Sequence, residues 1–236
     1  MASELLKELV EAGVHFGHQS RKWHPGMKSF IIGKKNGIHI LNLEETAKQL
    51  SNAADYLSDA ARTGKRILFV GCKRQAQDAV REAAQATGQF FVNHRWLGGT
   101  LTNLATIRKS VLRLKYLEDI EKQPEFKMMS KKELSALGRE REKLLRNLSG
   151  IRDLDGPPDV VVIVDSHRER IAVAEASRLN IPIVAMVDSN ADPGAVTFPI
   201  ASNDDSVRSI RIILQNLVDP VLSTLEETGR APRQRA

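Results

Sequence analysis

Arg21, Lys22, Lys28, Lys34 and Lys35 lie along residues 12–43, a stretch without a single Asp or Glu. Residues 83–116 are equally free of carboxylates and carry Arg95, Arg108, Lys109, Arg113 and Lys115. The whole chain has 29 acidic side chains in 236 residues, so two acid-free runs of this length are a pattern that asks for a cause. One is electrostatic: a misplaced carboxylate repels a phosphate as strongly as a lysine attracts it, and a surface that lies on a polyanion excludes acids. Aromatic and imidazole side chains are interleaved with the cations, His15, His18, Trp23, His24 and Phe30 in the first window and His94 and Trp96 in the second. Cations neutralise phosphates, rings stack on unpaired bases, and small polar groups reach sugars and base edges. The contact set expected for RNA is therefore Arg21, Lys22, Trp23, His24, Lys28, Lys34, Lys35, His94, Arg95, Trp96, Thr100, Asn103, Arg108 and Lys109.

Other chemistries fare less well. Asp165, Ser166 and His167 are the residue types of a hydrolase triad, but consecutive side chains cannot converge as nucleophile, base and orienter; they read as the polar cap of a following helix. Cys72 follows an apolar run and reads as a small packed side chain. The turn around Gly71, Cys72, Lys73 and Arg74 lacks the glycines of a dinucleotide loop and the Gly-Lys-Ser/Thr of a phosphate loop. A nucleotide- or phosphate-dependent enzyme using Lys73, Arg74 and the Asp188 region is the alternative function. Asp188, Asp192, Asp204 and Asp205 could meet at strand ends and hold a structural divalent cation; Ser202 or Asn203 also reads as the start of a helix beginning at Asp204. His15, His18, His24 and His39 have no Cys partner and no regular ligand spacing. No cofactor is expected beyond that cation.

The bulk properties agree with the first reading. Residues 1–150 hold 26 basic and 16 acidic side chains, a net +10, whereas residues 151–236 hold 9 and 13, a net −4. Such asymmetry points one part of the molecule at an anionic partner. A single cysteine forbids an intramolecular disulfide, no run approaches the ~20 apolar residues of a membrane span, and the first residues lack the basic and apolar regions of a secretory signal. A cytoplasmic protein is expected.

The elements that must position these residues follow from periodicity. A short amphipathic helix through Glu11, a Gly- and His-rich loop, and a hairpin of residues 30–32 and 38–41 turned by Asn36-Gly37 make an amino-terminal unit, residues 1–42, with Lys34 and Lys35 at the tip. A helix at 43–62 capped by Asn42, a strand at 66–70, a helix at 73–86 and a strand at 90–92 follow. Apolar residues then recur every three or four positions from Leu104 to Ile120 and, after a break near Pro124, from Leu134 to Ile151, which predicts an antiparallel coiled-coil hairpin inserted at 103–150. Strand 159–164, helix 168–179, strand 181–187, short strand 196–200 and helix 204–227 complete the alternation. Strand–helix–strand order predicts an α/β fold, a doubly wound, mostly parallel sheet of Rossmann or flavodoxin type built from 43–102 and 151–227. Residues 228–236 read as a flexible basic tail.

Gly13-Val14-His15-Phe16-Gly17-His18, Arg21-Lys22-Trp23-His24-Pro25 and residues 93–103 closely resemble the bacterial small-subunit ribosomal protein S-two family, as do Gly33 to Ile40, Asp159 to His167, Asn180-Ile181-Pro182 and Asp188-Ser189-Asn190. The resemblance spans nearly the whole chain. It implies a doubly wound domain without nucleotide and a coiled-coil hairpin, a non-enzymatic structural role in the small subunit, contacts with ribosomal RNA and neighbouring proteins, and recruitment of the messenger-binding ribosomal protein S-one in support of translation initiation.

Overall fold

A computed structural model describes residues 2–120 and 129–229. The break expected near Pro124 and all but the first two residues of the expected basic tail lie outside them. The chain opens with α1 (Ala2–Glu11), then β1 (Phe16–Gln19), β2 (Ile31–Lys35) and β3 (Ile38–Leu41), which form an antiparallel sheet in the order β1-β3-β2. Asn36 and Gly37 both have positive φ, 51° and 80°, the requirement of a tight hairpin turn. β1 is an addition to the sequence reading, in which a Gly- and His-rich loop runs from the first helix to the hairpin; its short run of Phe, Gly, His and Gln has no strand periodicity, and it is extended because β3 offers a free edge.

The alternation continues through α2 (Leu43–Arg62), β4 (Ile67–Val70), α3 (Gln77–Thr87), β5 (Phe90–Val92), α4 (Leu104–Asp119), α5 (Lys131–Leu148), β6 (Val160–Val164), α6 (Arg170–Arg178), β7 (Ile183–Val187), β8 (Phe198–Ala201) and α7 (Val207–Glu227). Five strands form one fully parallel sheet in the order β5-β4-β6-β7-β8. Counted within the sheet this is 2-1-3-4-5, the flavodoxin-type order, so the strand order reverses between β4 and β6. All residues of β4, β6 and β7 are buried, as a sheet covered on both faces requires.

Successive side chains of a strand point to opposite faces, and the two cores divide accordingly. Ile67, Phe69, Val160, Val162 and Val164 pack with α2, α3 and α7 through Leu57, Val80 and Leu217. Leu68, Val70, Val161 and Ile163 face a second core with Ala172 and Ala176 of α6, Ile107, Val111 and Leu114 of α4, and Met27, Leu41, Trp96 and Leu101. Burying each such aliphatic side chain contributes about 1.5–3 kcal/mol before the entropy of ordering the chain is subtracted. Both acid-free windows therefore reach this second core, the first through Met27 and Leu41 and the second through Trp96, Leu101 and the buried face of α4.

Three helix starts differ from expectation. α3 begins at Gln77, not Lys73, because residues 73–76 form a tight turn (Ala76 N–H to Lys73 O, 2.8 Å) while the Lys73 side chain is drawn inward. α6 begins at Arg170 after Asp165, whose φ is +67° and whose Oδ1 accepts the Arg168 N–H at 2.8 Å. Asp165 thus caps the turn that precedes α6, and the helix's own N-cap, Glu169, makes no side-chain cap bond. α7 begins at Val207 with Ser206 as cap; Asn203 Oδ1 instead accepts the N–H groups of Asp205 and Ser206, and Asp204 and Asp205 precede the helix. α5 opens with a reciprocal Ser130–Glu133 capping box, whose spacing the sequence also carries. α4 and α5 are joined by a two-pronged pair, Arg113 Nε to Glu140 Oε1 at 3.0 Å and Arg113 Nη2 to Glu140 Oε2 at 2.8 Å. Their link lies outside the described residues, and a coiled-coil geometry stays an expectation.

Candidate nucleic-acid interface

The first window is held up by β1, β3 and two single helical turns, residues 20–22 and 25–30. Lys34 and Lys35 stand exposed beside the hairpin turn, and Arg21, Lys22 and Lys28 are exposed on the helical turns. Beneath them Met27 is fully buried, a hydrophobic peg in the second core. The arm is fastened to the carboxyl ends of β7 and β8 by main-chain contacts: the His18 N–H donates to Ser189 Oγ at 2.8 Å and Asp188 Oδ1 at 3.1 Å, the His24 N–H to the Ser189 carbonyl at 2.7 Å, and the Asn203 N–H to the Val14 carbonyl at 3.0 Å. Gly17 permits this approach; a Cβ there would lie 2.8 Å from Ser189 Oγ. Trp23 is 38% exposed with its ring 5.6 Å from that of His39, and the His24 Nδ1 accepts the Gly26 N–H.

The second window turns on a residue that sequence reading missed. Glu175, in α6 and only 8% exposed, receives five donors from residues 96–102. Oε1 accepts Trp96 Nε1–H at 3.1 Å and the Gly99 N–H at 2.7 Å; Oε2 accepts the Leu101 N–H at 2.9 Å and the Thr102 N–H and hydroxyl at 3.1 Å each. Burial pushes its pKa up, but these donors outweigh burial and hold the carboxyl below the ordinary range. One buried anion thus gathers the loop that launches α4. Gly99 has φ +87°, which favours glycine in that turn.

Two expected contacts are corrected by this arrangement. Trp96 is 7% exposed and its indole N–H is engaged by Glu175, so it is a support beneath the loop. Thr100 is buried and its hydroxyl donates to the Leu97 carbonyl. His94, Arg95, Asn103, Arg108 and Lys109 remain exposed. Partial desolvation followed by the charges of Arg146 and Arg81 pushes the His94 pKa down, so this ring is neutral near pH 7 and suited to stacking or hydrogen bonding. Arg113 is engaged by Glu140, and Lys115 lies 3.9 Å from Asp153, so these two are partly neutralised. Among the described residues, Arg21, Lys22, Lys28, Lys34, Lys35, Arg95, Arg108 and Lys109 have no carboxylate within 4.0 Å. His167, Arg168 and Arg170, which follow the carboxyl end of β6, are also exposed. They lie outside the acid-free runs.

At the switch point between β4 and β6, where an α/β sheet holds its ligands, the chain fills the crevice itself. Lys73 Nζ pairs with Asp204 Oδ1 and Asp205 Oδ1 at 2.6 Å each and with Asp165 Oδ2 at 3.2 Å. Burial alone would lower its pKa; the three carboxylates reverse that and keep the ammonium charged. Asp204 is pushed up to about 7 by burial and by the charges of Asp165 and Asp188, against the pull of Lys73. The lysine required by the nucleotide alternative is therefore committed to internal partners. Asp192 is exposed and caps a turn through the Gly194 N–H, apart from the other three acids. Cys72, half-buried, has its thiol pushed up to about 12 by burial and by Glu169.

No helix among the described residues is long and apolar enough to cross a membrane. The family model described as "Ribosomal protein S2" matches residues 9–224. The chain is 49% identical over 221 residues to the "Small ribosomal subunit protein uS2" of Koribacter versatilis (strain Ellin345), covering 94% of this chain and 73% of that protein. With an α/β core, an internally plugged strand-end crevice and these two matches, the chain belongs to the ribosomal protein S2 family, structural proteins of the small ribosomal subunit.

Proposed function

We propose that the chain binds small-subunit ribosomal RNA in the cytoplasm through the exposed cations of its two acid-free windows, and that, once docked, it helps to recruit ribosomal protein S-one for translation initiation. The carrying observation is that eight exposed cations of the two windows have no carboxylate within 4.0 Å among the described residues, on segments that reach a common hydrophobic core. Arg21, Lys22, Lys28, Lys34, Lys35, Arg95, Arg108 and Lys109 neutralise phosphates; Trp23, His24, His94 and Asn103 approach bases and sugars. The α4–α5 pair, read as a coiled-coil hairpin, extends this surface beyond the α/β domain.

Salt dependence tests the reading. Each neutralised phosphate adds roughly 0.7–0.9 to the slope of log affinity against log salt, so the wild type should lose RNA affinity steeply as salt rises. A variant with Arg21, Lys22, Lys34 and Lys35 changed to Glu should keep the wild-type circular dichroism yet fail to sediment with small subunits after a salt wash. Salt-insensitive RNA binding, or normal incorporation of the variant, would overturn the assignment. Recruitment of S-one is read separately, as the S-one that co-sediments with subunits reconstituted with and without this chain; equal amounts would reject that half of the proposal.

A further inference from the structure

On β3 the side chain of His39 shares a face with that of Leu41, two residues on, which is 1% exposed and packs in the second core beside Met27. The imidazole thus sits at the outer end of a row whose inner end is fixed in the core. Both of its ring nitrogens are buried, and neither has a hydrogen-bond partner among the described residues. A polar ring left unmatched in this way costs stability unless a partner meets it. Trp23 covers the imidazole, with ring centroids 5.6 Å apart and planes tilted by 42°. That is neither the offset stack nor the edge-to-face arrangement that aromatic pairs prefer, so the two rings part at small cost. Across the hairpin, Lys34 stands directly opposite His39 in the β2–β3 register, which puts the two side chains on one face with their Cβ atoms about 4.5–5.5 Å apart. Lys34 is exposed and has no carboxylate within 4.0 Å among the described residues.

We propose that Trp23, His39 and Lys34 form a binding site for one unpaired nucleotide of RNA: the base enters between indole and imidazole, its polar edge hydrogen-bonds a His39 nitrogen, and its phosphate meets Lys34. The inference rests on the RNA-binding reading above and adds to it a place where a base is met directly. Cations alone grip any phosphate backbone, whereas a base out of its stack is recognised by an aromatic face and by a group that can hydrogen-bond its edge. Imidazole in its neutral form offers one donor and one acceptor, so it can answer either kind of edge. An aromatic gap beside an unpaired ammonium suits a nucleotide, which carries ring and phosphate together, better than a segment of protein. The indole has to swing outward for the base to enter, and at 38% exposure it has open space on that side. The swing is one of the side chain, because the next residue, His24, is fastened through its N–H to the Ser189 carbonyl at 2.7 Å. His24 itself is less suited to reading a base, its Nδ1 being occupied by the Gly26 N–H.

The test uses the full chain and the fluorescence of its two tryptophans, with short unstructured oligoribonucleotides and duplexes of the same sequences as probes. Single strands should quench the indole emission and duplexes should not, because a paired base cannot enter between the rings. Trp23→Leu should abolish the quenching, which assigns it to Trp23 and not to the buried Trp96, and should bind single strands roughly 5- to 150-fold more weakly, the range for one lost base stack. Its dependence on salt should stay that of the wild type, whereas Lys34→Gln should lower the slope by about 0.7, the weight of one phosphate contact on a single strand. His39→Phe keeps a ring and removes both nitrogens. The free variant should unfold at a higher urea concentration than wild type, because an unmatched polar group is gone, yet bind single strands about 2- to 10-fold more weakly for want of one hydrogen bond. Stability and binding lost together in His39→Phe would make the ring structural and reject the site. So would quenching by duplexes equal to that by single strands, quenching retained in Trp23→Leu, or quenching produced by ribosomal protein S-one and by no oligonucleotide. Salt-dependent RNA binding without any quenching would remove this site and leave the cationic reading standing, so the two fail separately.

Discussion

Replacing Glu175 with Gln keeps the size of the side chain and removes its charge, which isolates the role of the buried anion. One carboxylate oxygen becomes an NH2 group. At the Oε1 position it would meet the Trp96 indole N–H and the Gly99 N–H; at the Oε2 position it would meet the Leu101 and Thr102 N–H groups. The Thr102 hydroxyl can rotate to accept, but either way two buried donors lose their acceptor. At about 1–3 kcal/mol for each orphaned donor the loss is roughly 2–6 kcal/mol, a large share of a typical folding stability of about 5–15 kcal/mol. With a urea m-value of about 3 kcal/mol per molar, the midpoint falls by roughly 0.7–2 M. The chain has two tryptophans, Trp96 on the carboxylate and Trp23 partly exposed, so indole fluorescence reports the site directly. Amide exchange at Gly99, Leu101 and Thr102 should accelerate more than exchange in β6. The pH dependence adds an independent sign. A carboxyl whose folded pKa is below its ordinary value near 4.5 contributes stability above that value and loses it as pH falls through the lower, folded pKa. Wild type should therefore lose its advantage over Glu175→Gln as acidity increases below about pH 4.5. A midpoint unchanged by the substitution, with protected amides at Gly99 and Leu101, would refute the claim that this anion organises the root of α4.

Lys73→Met should destabilise by about 3–5 kcal/mol, because Asp165 and Asp204 are left buried without their cation; a thermal melt within a degree of wild type would show that the carboxylates are balanced by something else. Gly150→Ala should be among the worst single changes in the chain, since its Cβ would lie 2.1 Å from the Phe91 carbonyl oxygen and 2.6 Å from the ring. Gly138→Ala, inside α5 with open space around it, should stabilise by about 0.5–1 kcal/mol through backbone entropy; urea midpoints moving the same way in both variants would contradict this placing of the two glycines. Cys72, its thiol pushed up to about 12, should label with iodoacetamide at pH 8 far more slowly in the native than in the urea-unfolded protein. Equal rates would mean that the thiol is neither half-buried nor beside Glu169.

Several features are written locally and are legible in the order of residues alone. The unbroken apolar runs of β4, β6 and β7 announce a sheet covered on both faces; the Asn36-Gly37 pair announces its turn, and Asn42 its helix, where Oδ1 does accept the Glu44 N–H. The alternation of elements is enough for the fold class, and the missing acids are enough to single out the basic loops. Helix starts are less legible. Lys73, Arg168 and Asp204 all have good helical surroundings in sequence, and each precedes its helix because a buried charge or a left-handed Asp165 claims the turn.

Sequence by itself determined the sheet, its two covering layers and which stretches carry cations without acids, because periodicity, caps and the absence of acids are properties of neighbours along the chain. Only the tertiary structure decided which of two tryptophans is a support and which is exposed, which glutamate gathers the second loop, and which aspartates share a lysine or face His18. Those partners lie 73 to 79 residues apart for Glu175, 92 and 131 for Lys73 with Asp165 and Asp204, and 170 for His18 with Asp188. Such a pairing depends on where the backbone places two groups and on whether water is excluded between them, and nothing in either group's immediate sequence encodes that.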